Sequence, residues 1–171
     1  MSGNSKTVLL TGGAGYIGSH TAKALAVSGF VPVTYDNLAR GHRWAVQWGP
    51  LVEGDISDQA KLVDTIHSYD IAAVLHFAAF AYVGESMARP ELYFNNNVLG
   101  SLALLDAVLK TGVRHLVFSS SCATYGVPER TIRSSAAEAM PASATKKHNA
   151  IMSTRFAKVH CEATASGVPN R

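Results

Sequence analysis

Residues 11–20 read Thr11-Gly12-Gly13-Ala14-Gly15-Tyr16-Ile17-Gly18-Ser19-His20, and the flanks give that stretch its meaning. Before it, Thr7-Val8-Leu9-Leu10 is a short apolar run that reads as a buried strand. After it, Ala22, Leu25, Ala26 and Phe30 recur at roughly helical spacing. The glycines therefore sit where a strand turns into a helix. Gly13, Gly15 and Gly18 satisfy G-x-G-x-x-G; Gly12, Gly15 and Gly18 satisfy G-x-x-G-x-x-G. At such a junction the first glycines permit a tight turn. The middle one lets backbone approach a pyrophosphate, and the last lets helix and strand pack closely. The helix N-terminus then presents N–H groups and a partial positive charge to phosphates.

A glycine motif alone is weak, because a ligand-free Gly-rich turn has the same composition. The next strand, Val31-Pro32-Val33-Thr34-Tyr35, adds the deciding part. It ends in Asp36, at the spacing from Gly18 where an acid accepts hydrogen bonds from an adenosine ribose. Strand, glycines, helix, strand and acid in that order point to a dinucleotide. Asp36 favours NAD over NADP, because a 2′-phosphate would be repelled; Arg40 and Arg43 close by keep NADP as the alternative.

The pattern continues along the chain. Leu51-Val52-Glu53 reads as a third strand, ending at Gly54-Asp55-Ile56. Asp55 falls at the edge where ligands of open α/β sheets collect, and it also stands where a helix cap would. Ala60 to Tyr69 reads as a helix with Leu62, Val63 and Ile66 inward. Ile71 to His76 is a fourth strand, apolar throughout as a strand covered on both faces should be. Phe77-Ala78-Ala79-Phe80-Ala81 follows, its small residues leaving room for a cofactor's ribose and phosphates. Val83-Gly84-Glu85-Ser86 reads as a loop, and Pro90-Glu91 opens a long helix to about Thr111, stopped by Gly112. Within it Tyr93, Asn96, Asn97 and Gly100 form a polar or small stretch, and an Asn on a core helix needs a buried partner. Val113 to Phe118 is a fifth strand, followed by the hydroxyl-rich Ser119–Gly126. His76, His20 and His115 each read as core histidines with a satisfied nitrogen, and Trp44 and Trp48 as packing residues on a short helix. The predicted fold is a doubly wound parallel α/β sheet of Rossmann type with about five strands.

Bulk composition narrows the classes. The chain has 171 residues, 47% hydrophobic and 16% charged, which suits one soluble globular domain. Its net charge of +3 is concentrated late: residues 1–130 hold nine Lys/Arg and ten Asp/Glu, residues 131–171 six and two. No basic patch interleaved with aromatics exists, which argues against nucleic acid. The polar Met1–Lys6 start is not a targeting peptide, and the longest apolar stretch, Ile71 to Val83, is too short for a bilayer. Cys122 and Cys161 lie far apart, give no metal-ligand spacing, and suit a cytoplasmic setting.

Taken together, Thr11–His20, Asp36-Asn37, Val52–Ile56, His76–Ala79, Val83–Ser86, Asn95–Val98 and Ser119–Gly126 resemble the UDP-glucose 4-epimerases of the extended short-chain dehydrogenase/reductase superfamily. The likeness covers about residues 6–130. Pentose-nucleotide 4-epimerases, acting on UDP-xylose and UDP-arabinose, share it. The resemblance implies NAD as cofactor, a nucleotide-sugar substrate and a homodimer. It also implies a tyrosine phenolate, tuned by a lysine, that removes the 4-hydroxyl proton while hydride passes from C4 to NAD and returns to the other face. On the same basis Ser121 would be catalytic, hydrogen-bonding the 4-oxygen. Gly12, Gly15, Tyr16, Ile17, Gly18, Asp36, Asn37, Asp55, Ile56, Phe77, Ala78, Ala79 and Asn96 would bind NAD. Ala81 departs from the pattern, since many relatives have lysine there.

A larger departure concerns the base, expected as Tyr-x-x-x-Lys around Lys146-Lys147-His148, a window that contains no tyrosine. Four positions beyond Tyr16, Tyr35, Tyr69, Tyr82, Tyr93 and Tyr125 stand His20, Ala39, Ala73, Ser86, Asn97 and Glu129. None is lysine. From Thr131 onward nearly half of the chain is Ala, Ser or Thr, and aspartate is absent. The expectation is a domain over 1–130 followed by an atypical tail over 131–171, either disordered or the product of a reading-frame shift near codon 130. Such a truncated chain would be a non-catalytic NAD-binding fragment with an unpaired strand edge and doubtful dimerisation.

Overall fold

The computed structural model describes residues 6–120. Five strands form one parallel sheet: β1 Thr7–Thr11, β2 Val31–Asp36, β3 Leu51–Glu53, β4 Ala73–His76 and β5 His115–Phe118. Their order is β3-β2-β1-β4-β5. The chain steps outward from β1 to β3, then returns to the other side of β1, so a crevice opens beyond β1 and β4 where the direction reverses. Register aligns the strand tips there: Thr11 lies beside Tyr35 and His76, Asp36 beside Glu53, and His76 beside Phe118. The doubly wound parallel sheet anticipated from the sequence is the one observed.

Alternation along the strands sorts side chains into two layers. Leu9, Val33 and Val74 face α2 (Gln59–Ser68) and α5 (Gly100–Thr111), where Leu62, Ile66, Leu104, Ala107 and Val108 complete the larger core. Val8 and Leu10 face the other way and pack with Ala22 of α1 (Tyr16–Val27), joined by Leu25, Ala73, Leu75 and Phe77. Leu116 reaches the larger core, whereas Val117 on the opposite face is 58% exposed. Among the described residues only α1 covers that second face, and it does not extend over β5.

Several elements differ from the sequence reading. β4 starts at Ala73 and β5 at His115, two positions later than expected in each case. Phe30 lies beyond the end of α1 and is exposed. Val83–Ala88 is a helix, α3, and not a loop. The long helix from Pro90 is three segments: α4 Pro90–Tyr93, a π-helical turn Phe94–Leu99, and α5, ended by Gly112 with φ +73°. Trp44 sits on a single 3-10 turn, Arg43–Ala45, but is 74% exposed and stacks on His42 where a core contact was expected. His20 and His115 are both exposed, so the core reading fails for them. His76 is buried as expected. The expected boundary at 130, the tail and Ser121 lie outside the described residues.

Candidate functional site

The crevice at the strand tips is built by the loops after β1, β2, β3 and β4 and by the π-helical turn. After β1, Gly12 turns the chain with φ +72°, and a Cβ there would lie 2.6 Å from the backbone N of Ala78. A Cβ at Gly18 would collide with the carbonyl oxygen of Gly12, so the helix starts hard against the turn. Gly15 differs: a Cβ there would meet only the Gly12 carbonyl, at 3.3 Å, and the turn is otherwise open on that side. No side chain caps α1 and no acid stands in its first turn. Its first N–H groups therefore keep an unneutralised donor character toward the crevice.

After β2, Asp36 is 8% exposed and its two oxygens accept from different backbone groups: Oδ2 from Ala14 N–H at 3.0 Å, Oδ1 from Leu38 N–H at 2.8 Å. This ties the loop after β2 to the glycine turn and holds Leu38 in the left-handed region at φ +59°. The His42 N–H donates to the carbonyl of Ala14 at 3.0 Å, and Gly41 fits against Ala14 with no room for a Cβ.

After β4, the loop 77–82 is held by a buried polar chain. Ser101 Oγ donates to the carbonyl of Asn97 at 2.7 Å, so it must accept from His76 Nε2–H at 2.8 Å. That fixes the tautomer, and His76 Nδ1 then accepts from the Thr11 hydroxyl at 2.6 Å. Asn97 continues the chain, accepting from Phe80 N–H at 2.8 Å and donating to Phe80 C=O at 2.9 Å. One line of hydrogen bonds thus links β1, β4, α5, the π-turn and the loop.

Those loops enclose a cleft lined by Gly12, Gly15, Asp36, Asn37, Ile56, Phe77, Ala78, Ala79 and Asn96, with Tyr35, Arg40, Gly41, Gly54 and Phe80. The NAD dependent epimerase/dehydratase family matches residues 8–162. The chain belongs to that family.

Among its relatives, a UDP-glucose 4-epimerase of Rhizobium leguminosarum bv. trifolii is 52% identical over 124 residues, which cover 72% of this chain and 38% of that protein. A crystal structure of UDP-glucose 4-epimerase from Brucella ovis in complex with NAD superposes with a TM-score of 0.75 at 48% identity, covering 94% of this chain and 48% of that one. A Thermus thermophilus UDP-glucose 4-epimerase complex with NAD gives 0.75 at 35% identity, covering 94% and 50%. The chain spans about half or less of the length of these relatives.

Within this epimerase/dehydratase cleft, nine of the thirteen residues anticipated as NAD contacts form the lining. Four do not. Gly18 serves the close approach of helix and turn. Tyr16 and Ile17 direct exposed side chains outward, at 82% and 57%, leaving their backbone at the helix start as the relevant part. Asp55 is exposed and outside the lining: its carboxylate accepts from Ser57 N–H (2.9 Å) and Ser57 Oγ (2.6 Å), and from Asn37 Nδ2 (2.9 Å). Those bonds, the Ser57 hydroxyl foremost, hold the Asp55 carboxyl below the usual carboxylate range against a smaller, partial desolvation. Asp55 is not the cap of α2; that role falls to Asp58, which accepts from Lys61 N–H at 3.0 Å. The Tyr35 hydroxyl donates to the carbonyl of Asp55, and burial, then the Asp58 and Asp55 charges, push its ionisation upward.

A side-chain group at the cleft's outer rim was invisible to the sequence reading. Arg40 donates to both oxygens of Glu85, at 2.7 and 2.6 Å, and its guanidinium lies 5.2 Å from the ring centres of Phe80 and of Tyr82. Tyr93 Oη accepts from Tyr82 N–H at 3.1 Å, and shares its proton between the Tyr82 carbonyl (2.8 Å) and Glu85 Oε2 (2.9 Å). Burial, then the Glu85 hydrogen bond, push the Tyr93 phenol up to about 12. Hydrogen bonds from Arg40, then from Tyr93, hold Glu85 low. Among the described residues no cluster of three His, Cys, Asp or Glu could hold a metal, and no helix is long and apolar enough to cross a membrane.

Proposed function

We propose that the chain binds NAD in this cleft and corresponds to the dinucleotide-binding portion of a UDP-glucose 4-epimerase. The observation that carries the reading is the open face at Gly15. Gly12 and Gly18 are packed shut, whereas Gly15 leaves a cradle that a larger side chain would begin to fill, beside an uncapped helix start. Pyrophosphate suits that cradle. The adenosine ribose suits Asp36, whose carboxylate retains acceptor capacity beyond its two backbone bonds. Ile56, Ala78, Ala79 and Asn96 would flank the rest. When bound, NAD supplies a hydride acceptor that becomes the donor for the return step. The chain's own part is to bind and orient it, while Asn97 and His76 hold the loop 77–82 in place.

The relatives are named for UDP-glucose 4-epimerisation, and that is the reaction we assign to the intact lineage, with Ser121 beside the sugar's 4-oxygen. The 171 residues contain no Tyr-x-x-x-Lys to remove the 4-hydroxyl proton. By itself the chain therefore binds NAD without turnover. Titration of the purified chain with NAD, followed by a coupled UDP-galactose assay, tests both halves. Saturable binding without turnover is expected. Absence of saturable binding refutes the cofactor reading, and turnover well above background refutes the non-catalytic one.

A further inference from the structure

The loop after β2 sends two opposite charges into the cleft. Asp36 stands at the tip of the strand, and Arg40 lines the same wall four positions on. In dinucleotide folds an acid at this place selects the 2′-hydroxyl of NAD, whereas an arginine nearby accommodates the 2′-phosphate of NADP. The sequence alone leaves the two in competition. Arg43, the other cation of this loop, is paired with Glu53 on β3 and does not line the cleft.

We infer that Glu85 is a cofactor-specificity residue, because it holds Arg40 in a two-oxygen clasp that withholds the guanidinium from a 2′-phosphate. This rests on the reading of the cleft as an NAD site. Both Glu85 oxygens lie within 2.7 Å of one Arg40 nitrogen. Tyr93 donates into the same carboxylate, fixing Glu85 from behind. The flat face of the guanidinium rests against Phe80 and Tyr82. For Arg40 to serve a phosphate it would have to leave Glu85 beside that phosphate with only the Tyr93 hydrogen bond and the weaker field of Arg89 to offset its charge. With Asp36 also at the rim, three negative groups would then share one cation. Arginine forks suit phosphate as well as carboxylate, so the carboxylate already in place decides which one is held. Glu85 is far from Arg40 in sequence, on an element that does not line the cleft.

The test compares NAD and NADP binding to the full chain, read as the ratio of the NADP to the NAD dissociation constant. In Glu85→Gln the anion is gone while Phe80 and Tyr82 still seat the guanidinium at the rim. The ratio falls about tenfold, the scale of one freed charge-assisted contact. Adding Arg40→Ala to Glu85→Gln returns the ratio to that of the unaltered chain. Arg40→Ala alone does not lower the ratio, since it frees no cation for the phosphate and bares the Glu85 anion. A ratio unmoved in Glu85→Gln, with NAD still bound, overturns the inference and leaves the cofactor reading standing. A ratio that falls severalfold in Arg40→Ala alone, where no guanidinium remains to be released, overturns the inference even if Glu85→Gln does not fold. No saturable binding of either dinucleotide to the unaltered chain overturns both readings.

Discussion

Asn97→Ala removes three hydrogen bonds at once: one from Phe80 N–H, one to Phe80 C=O, and one from the amide of Asn96. The Asn97 side chain is 5% exposed, and the truncated site would offer water little access to the two Phe80 backbone groups. Each group left without a partner costs about 1–2 kcal/mol, so the substitution destabilises by about 3 kcal/mol in all. For a domain of roughly 100 residues that lowers the melting midpoint by about 12 °C. The neighbour on the same π-turn behaves oppositely. Asn96 lines the cleft and bonds to Asn97, so Asn96→Ala costs less than about 1 kcal/mol. Its loss shows instead as an NAD affinity lowered about tenfold, the scale of one polar contact to the ligand. Thermal unfolding by circular dichroism and NAD titration, run on both variants, separate the roles. An Asn97→Ala protein melting within about 3 °C of the unaltered chain would refute the assignment of Asn97 as the loop's anchor. A larger thermal loss in Asn96→Ala than in Asn97→Ala would do the same.

Two further expectations concern the turn and the acid limb. Gly18→Ala drives a Cβ into the Gly12 carbonyl oxygen and to 2.6 Å from Gly13 Cα, both backbone, so the turn itself must move. It should destabilise by about 3 kcal/mol in urea titration and abolish NAD binding. Gly29→Ala meets nothing within 4 Å and carries only its φ of +81°, so it costs about 1–2 kcal/mol and leaves NAD binding intact. Asp55 is held below the usual carboxylate range, chiefly by the Ser57 hydroxyl, so its unfolded form binds protons first as pH falls. Its stabilisation is complete above the ordinary carboxylate pKa of about 4 and is lost as pH drops through the lower folded value. Urea midpoints of the unaltered chain and of Asp55→Asn should therefore converge below about pH 4. A gap that persists or widens in acid would refute the role given to Asp55.

What the sequence disclosed depended on whether the signal was local. Gly12, Gly15 and Gly18, flanked by an apolar run and followed by Asp36, carry their meaning within one short stretch, and the parallel sheet follows from the alternation continued downstream. His76 could be read as a buried, satisfied histidine because it ends an apolar strand. The same reading failed for His20, on an outer helix face, and for His115, which is exposed on β5, the last strand among the described residues. Val83–Ala88 gave no helical signature because it is short, contains Gly84, and lacks a side-chain cap. The π-turn was hidden because a periodicity argument assumes one helical pitch throughout. Asn96 and Asn97 are chemically identical, so only coordinates distinguish the residue lining the cleft from the one bracing the loop. Asp55 was a cap candidate for a similar reason, since Asp58, the actual cap of α2, stands three positions on and is chemically identical. The Arg40–Glu85 clasp joins distant parts of the chain, and no pattern in the sequence announces such a meeting.

The wider turn between α4 and α5 has a consequence for how this segment can change over time. Removing any one of Asn95, Asn96 or Asn97 would let Pro90–Thr111 close into an uninterrupted helix, a gain in regularity. The wide turn absorbs about one extra residue, so the same deletion would leave Pro90–Tyr93 nearly in its present phase on α5. Tyr93 would keep its place against Tyr82 and Glu85, and the loss would fall on the asparagines, of which Asn96 lines the cleft and Asn97 braces the loop. The triplet thus holds one residue more than a regular rod requires, and a single-codon loss there would exchange an amide at the cleft for an unbroken backbone ladder.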